Sequence, residues 1–232
     1  MKSFVSLWRG HSCLPCRRLV FNSLIALASC APLLAAPAKL SYTRIFPGST
    51  PDYFCVNVDR SGNLEYKESP TDNNPLTAQL PDVDVTALFA MAEKLNYFKQ
   101  PLESGLKVAN TGKKTFRYDD GTAPATETTF NYSQNETAQQ LQERFEQIAA
   151  TERAYIELER ALRYDRLGLN DALAQVESLW LHKQLAAPKQ FVPILTRITT
   201  RESLMHLVRD RAARLKDEFE AAPPIPPDSK QK

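Results

Sequence analysis

Residues 17–39 decide which part of the chain folds and in which compartment it does so. The stretch reads RRLVFNSLIALASCAPLLAAPAK, which is a basic start, an apolar run and then a series of small residues. This order is typical of an export signal, and the run from Leu19 to Ala28 is too short to span a bilayer as a helix. We therefore predict that residues 1–38 are a signal peptide and that the mature chain is periplasmic, membrane-anchored by lipid, or extracellular.

Two cleavage sites fit this leader. Leu27-Ala28-Ser29-Cys30 has the form of a lipobox, in which Cys30 becomes the first residue and carries the lipid. Ala36-Pro37-Ala38 instead suits an ordinary signal peptidase, which would leave Lys39 as the new N-terminus. Acylation of Cys30 would hold the protein on a membrane, whereas cleavage after Ala38 would release it. An uncleaved anchor is disfavoured because prolines follow the apolar run.

Removing the leader changes the charge and the cysteine content. The leader holds four of the 29 basic residues and none of the 27 acidic ones, so residues 39–232 carry a formal charge of −2. A chain without a basic excess lacks the electrostatic basis for binding nucleic acid. Cys13 and Cys16 also fall in the leader, and Cys30 is either lipidated or removed with it, so Cys55 is the one cysteine of the folded part. This excludes a disulfide framework, and we expect Cys55 to point into the packing of a strand.

Residues 39–135 predict an α+β section. Alternating residues favour a β-hairpin with its turn at 59–63, and a second hairpin over 113–132. Residues 69–80 are rich in Pro, Asn and Asp and are expected to form a loop. A helix follows, capped by Asp82 or Asp84 and ended after Leu95 by Asn96 in a left-handed conformation.

Residues 136–222 predict a helical section. Apolar residues recur at helical intervals from 136 to 167, which favours a helix of about 45 Å that bridges the two sections. A second helix capped by Asn170 should run to about 185, followed by a short segment over 191–199. Thr199-Thr200-Arg201-Glu202 has the form of a capping box for a last helix to about 220. Residues 223–232, which begin PPIPP, predict a disordered tail.

The order of these features resembles that of a known domain family. A Tyr-x-Arg opening at Tyr42 with Pro47-Gly48, two hairpins and an intervening helix ending in Tyr97-Phe98 make residues 42–150 similar to a family of bacterial envelope domains of unknown function. The whole chain looks like secreted proteins of acidobacterial soil bacteria. The resemblance implies an export or lipoprotein signal and implies no activity. The paired cysteines often seen near the Pro-Gly of that family are missing here.

The sequence offers few groups for chemistry. Ser178 with His182, and His206 with Asp210, are spaced to meet on one helix face, a spacing that is common by chance. The chain has no HExxH motif, nucleophile elbow or phosphate-binding loop, and we expect no catalytic, metal or cofactor site. The charges of the bridging helix predict a solvated face with intrahelical ion pairs. They are Glu152, Arg153, Glu157, Glu159, Arg160 and Arg163.

Three hypotheses for function follow. The first is a non-enzymatic envelope protein that binds a ligand or another envelope protein through its helical section, with the membrane as a further partner if Cys30 is acylated. The second is a hydrolase whose carboxylates, among them Asp165, Glu177 and Asp210, converge only in the fold. The third is a structural or assembly protein of the envelope, which would self-associate.

Overall fold

A computed structural model describes residues 37–222 of the chain. An antiparallel sheet is built first and helices follow, so the predicted α+β class with a long bridging helix is confirmed. Residues 1–36 of the predicted leader, Cys30 among them, and the tail 223–232 lie outside the described residues.

Six strands form one sheet in the order β4-β3-β2-β1-β5-β6, with every neighbouring pair antiparallel. They are β1 Lys39–Ile45, β2 Tyr53–Asp59, β3 Asn63–Lys67, β4 Leu76–Gln79, β5 Lys113–Asp119 and β6 Thr126–Phe130. The first strand therefore lies in the middle of the sheet, hydrogen-bonded to β2 on one side and to β5 on the other. Both predicted hairpins, β2–β3 and β5–β6, are confirmed.

One face of the sheet is apolar because the strands alternate in sequence. Tyr42 of β1 is fully buried between Phe116 of β5 and Phe145 of the long helix, with both ring centroids 5.4 Å from its own. The opposite face carries polar side chains. Cys55 belongs to this opposite face, where Thr43 Oγ1 lies 3.5 Å from its sulfur, so the prediction that it points into the packing was wrong. Its neighbours Phe54 and Val56 take the inward positions instead.

The turn between β2 and β3 is held by Asp59. One of its carboxylate oxygens accepts hydrogen bonds from the backbone N–H of Ser61 (2.8 Å) and of Asn63 (3.0 Å), and the other accepts from the Asn63 side chain (2.7 Å). Gly62 completes the turn with a φ of +83°, which side chains disfavour. A Cβ atom there would also lie 2.8 Å from the Leu80 carbonyl oxygen.

Residues 69–80, expected to be a loop throughout, contain the edge strand β4. The helix that follows, α1, spans Asp82–Lys94. Neither Asp82 nor Asp84 caps it, because the N-cap position is Pro81 and no side chain forms a capping hydrogen bond there. Asn96 does take the predicted left-handed conformation, with a φ of 50°. Phe98 then packs under the sheet, stacked on Phe116 at 5.2 Å.

The long helix α2 spans Glu136–Tyr164 and begins with Asn135, whose side chain accepts a hydrogen bond from the Ala138 N–H (3.1 Å). Its first half packs on the sheet and its second half enters a separate core of helices. The sheet cluster takes Ala138, Leu141, Phe145, Ile148 and Ala149 from it, and the helical cluster takes Ala154, Leu158, Ala161 and Leu162. The helix therefore contributes buried residues to both cores, as a bridging helix must.

Three further helices complete the helical core: α3 Leu169–Leu181, α4 Val192–Thr199 and α5 His206–Ala221. The predicted caps of α3 and α5 were wrong. Asn170 lies inside α3 and its side-chain oxygen accepts a hydrogen bond from Arg211 (2.6 Å). Thr199 and Thr200 end α4 instead of opening α5, because both hydroxyls donate to the Thr196 carbonyl (2.8 and 3.1 Å).

Within residues 37–222, no helix combines the length and the apolar character that crossing a membrane requires.

Candidate functional site

A groove of about 520 Å³ lies between the β4 edge of the sheet and the C-terminal half of α2. We call it the edge groove. Its sheet side is formed by β3, β4 and the loop between them, and includes Tyr66, Glu68, Asp72, Asn74, Leu76 and Thr77. Its helix side consists of Tyr155, Ile156, Glu159, Arg160, Arg163 and Tyr164. The groove exists because α2 is long enough to continue past β4 into the helical core.

The helix side of the groove is aromatic and its charges are paired. Glu159 accepts hydrogen bonds from Arg163 Nε (3.1 Å) and from Arg197 of α4 (2.6 Å). Arg160 pairs with Glu157 at 3.3 Å. Tyr164, the last residue of α2, is 82% exposed.

The sheet side carries two carboxylates with local hydrogen bonds. Glu68 accepts one from the Tyr66 hydroxyl (3.0 Å), and Asp72 accepts one from the Asn74 N–H (2.9 Å). Within residues 37–222, neither carboxylate lies in an ion pair. Burial first, and then the Glu68 charge, raise the pKa of Tyr66, so this hydroxyl stays a hydrogen-bond donor at physiological pH.

A buried carboxylate lies where the two cores meet. Glu152 is 1% exposed; its Oε1 accepts a hydrogen bond from Gln190 (3.0 Å), and its Oε2 has no partner within the described part of the chain. Burial raises the pKa of Glu152 to about 7. The prediction that Glu152 belongs to a solvated face was wrong, although its neighbours Glu157, Arg160 and Arg163 do form the expected intrahelical pairs. The sequence did not predict this burial, because Glu152 is a charged residue among many other charged residues of α2.

The two histidine pairs meet but lie on the surface. His182 Nδ1 is 3.5 Å from Ser178 Oγ and only 2.7 Å from the Ser178 carbonyl oxygen, so the ring donates to the backbone and does not activate the hydroxyl. His206 Nδ1 lies 2.5 Å from Asp210 Oδ2, with the two side chains 81% and 61% exposed. Neither pair lines the edge groove.

The three carboxylates of the hydrolase hypothesis each have a structural partner. Asp165 accepts a hydrogen bond from the Gly168 N–H (2.9 Å) and so holds the turn into α3. Glu177 binds Arg211 (3.2 Å) and Arg214 (2.6 Å) of α5. Asp210 pairs with His206. None of the three lines the edge groove or the small second cavity of about 20 Å³ near Asp84.

Among residues 37–222, no group of three or more His, Cys, Asp or Glu side chains is placed to hold a metal ion. Comparison with the models of known protein families, with curated proteins and with solved structures found no match to this chain.

Proposed function

We propose that this protein is exported, is not an enzyme, and binds a partner or ligand in the edge groove. The observation that carries the proposal is the groove itself, an open cleft whose walls come from both cores. A cleft with aromatic side chains and arginines resembles protein-binding surfaces in composition, since Tyr and Arg are enriched there.

The exposed end of α2 supports this assignment. Tyr164, which lines the groove, is 82% exposed, and Leu167, three residues further along the chain, is 83% exposed. Large apolar side chains cost free energy in water, and an exposed aromatic side chain that lines a cleft, as Tyr164 does, is typical of a binding surface. The ion pairs of Glu159 also fix the helix wall, so a partner would meet a preformed surface.

Photocrosslinking in a bacterial host would test the groove. A benzophenone amino acid replaces Tyr164 in the full chain, expressed with its leader, and a matched variant carries it at Leu181, which is 69% exposed at the end of α3. We expect a defined adduct from position 164 and none from position 181. No adduct at 164, or the same adducts at both positions, would refute the groove as the binding site.

Export is tested by mass spectrometry of the N-terminus of the same purified protein. An acylated Cys30 would mean attachment to a membrane through lipid, and a free Lys39 would mean a released protein. A chain that still carries residues 1–18 would contradict export.

A further inference from the structure

The two edge strands of the sheet, β6 and β4, differ in the hydrogen bonds that they form with the rest of the described chain. The segment that follows α1 donates one hydrogen bond to β6, from Leu102 N to Thr128 Oγ1 (3.3 Å), and another just past the end of β6, from Ser104 N to the Tyr132 carbonyl (2.9 Å). Along β4, the described residues form backbone hydrogen bonds on the β3 side alone. An uncovered edge strand presents unpaired donors and acceptors to any extended chain.

The register identifies which backbone groups of β4 face outward. Leu80 N donates to the Gly62 carbonyl (2.9 Å), and the β3–β4 pairing continues this register with Leu64 opposite Ala78. Hydrogen-bonded and non-hydrogen-bonded pairs alternate along an antiparallel ladder. The N–H and C=O groups of Thr77 and Gln79 therefore point away from β3, and Thr77 is also a lining residue of the edge groove.

The edge groove has the shape that an added strand needs. A strand paired along the four residues of β4 would extend over about 13 Å. Alternate side chains of such a strand would point to the inner face of the sheet, where Tyr155, Ile156 and Leu76 provide apolar contacts. The outward backbone groups of β4 and the apolar side chains of the groove together favour an extended polypeptide over a compact small molecule as the ligand.

We propose that the edge groove binds an extended segment of a partner polypeptide, which pairs with β4 as a further strand of the sheet. This inference rests on the proposed function and names its partner class. The charged side chains of the groove indicate the charge of the bound segment. Arg160 and Arg163 are already paired, whereas Glu68 and Asp72 are in no described ion pair and can attract a cation. The segment has apolar residues at alternate positions and Lys or Arg at the end that meets the β3–β4 loop.

The test begins with twelve-residue peptides displayed on phage, which are selected for binding to the full chain expressed with its leader. One selected peptide is then synthesised with a fluorophore, so that its binding to the protein can be measured. Thr77→Pro blocks strand pairing at the outward N–H without removing a bond to β3, and Thr77→Ala is the matched control that keeps this N–H. We expect Thr77→Pro to weaken binding about tenfold or more and Thr77→Ala by less than about twofold. Asp72→Asn should weaken a Lys- or Arg-containing peptide and lower its salt dependence.

Amide hydrogen exchange keeps the proposal testable if Thr77→Pro does not fold. In the wild-type chain, peptide binding should slow exchange at Thr77 and Gln79. Failure to select any peptide, equal binding by a folded Thr77→Pro variant, or unchanged exchange at these amides would overturn strand addition. Slowed exchange in the free protein as its concentration rises would also overturn it, because a second copy would then occupy the edge. If Tyr164→Ala lost binding while Thr77→Pro kept it, strand pairing with β4 would be ruled out, but the groove would remain the binding site.

Discussion

Glu152 is the residue at which the cost of burying a charge is clearest. Its pKa is raised by burial from the ordinary value of 4.5 to about 7. The folded protein therefore binds the Glu152 proton more tightly than the unfolded chain does. The resulting stabilisation is fully present below about pH 4.5 and is lost as the pH rises through about 7. The groups that interact with this carboxyl are Gln190 from the segment before α4, Tyr66 from β3, and Tyr155 on α2 itself.

Glu152→Gln removes this titration while keeping an acceptor for Gln190. The variant should be more stable than the wild type at pH 8 by up to about 3 kcal/mol and nearly equal to it at pH 4.5. Urea unfolding from pH 4.5 to 8.5, followed by Trp180 fluorescence, measures the difference. Glu157→Gln, at a half-buried position of the same helix, is the control and should leave the pH dependence unchanged. The same pH dependence in wild type and Glu152→Gln would contradict buried titration.

Elements were predictable where their signal is local. The hairpin turn at Asp59–Asn63, the left-handed Asn96 and the run of apolar residues in α2 depend on neighbours in sequence, and the structure has all three. The strand β4 was missed because its four residues sit among Pro, Asn and Asp, and its pairing with β3 is what orders it. The wall of the edge groove that β4 forms was therefore not predicted from the sequence. The capping threonines were misassigned because a hydroxyl can serve either end of a helix.

Gly62 is the position at which the β2–β3 turn controls the edge strand. Gly62→Ala should cost about 3 kcal/mol, because the new Cβ meets both strain at positive φ and the Leu80 carbonyl. Gly48→Ala is a matched control, since its φ is +87° but nothing lies within 4 Å of the added carbon, and it should cost about 1 kcal/mol. Thermal unfolding compares the two variants. Equal losses would show that the contact with the end of β4 is not what selects glycine.

At the scale of the whole molecule, α2 couples two cores that share few other elements. The sheet cluster and the helical cluster both take side chains from this helix, which continues without a break across Thr151 and Glu152. A hydrogen bond from the Ala186 N–H to Thr151 Oγ1 (2.9 Å) also stabilises this part of α2, where the two cores meet. Unfolding one core would leave half of α2 without its packing, and an isolated helix of that length is marginal in water. The two sections should therefore unfold together.

Trp180 makes this coupling measurable, because it is the one tryptophan of residues 39–232 and packs against Phe219 in the helical core. Phe145→Ala removes a fully buried ring from the sheet core and should cost about 3–5 kcal/mol. We expect the urea midpoint of Trp180 fluorescence to fall together with that of far-UV circular dichroism. Leu181→Ala, an exposed neighbour of the probe, should shift neither midpoint. A Trp180 transition that stays in place while the dichroism transition moves would show that the two cores unfold independently despite the shared helix.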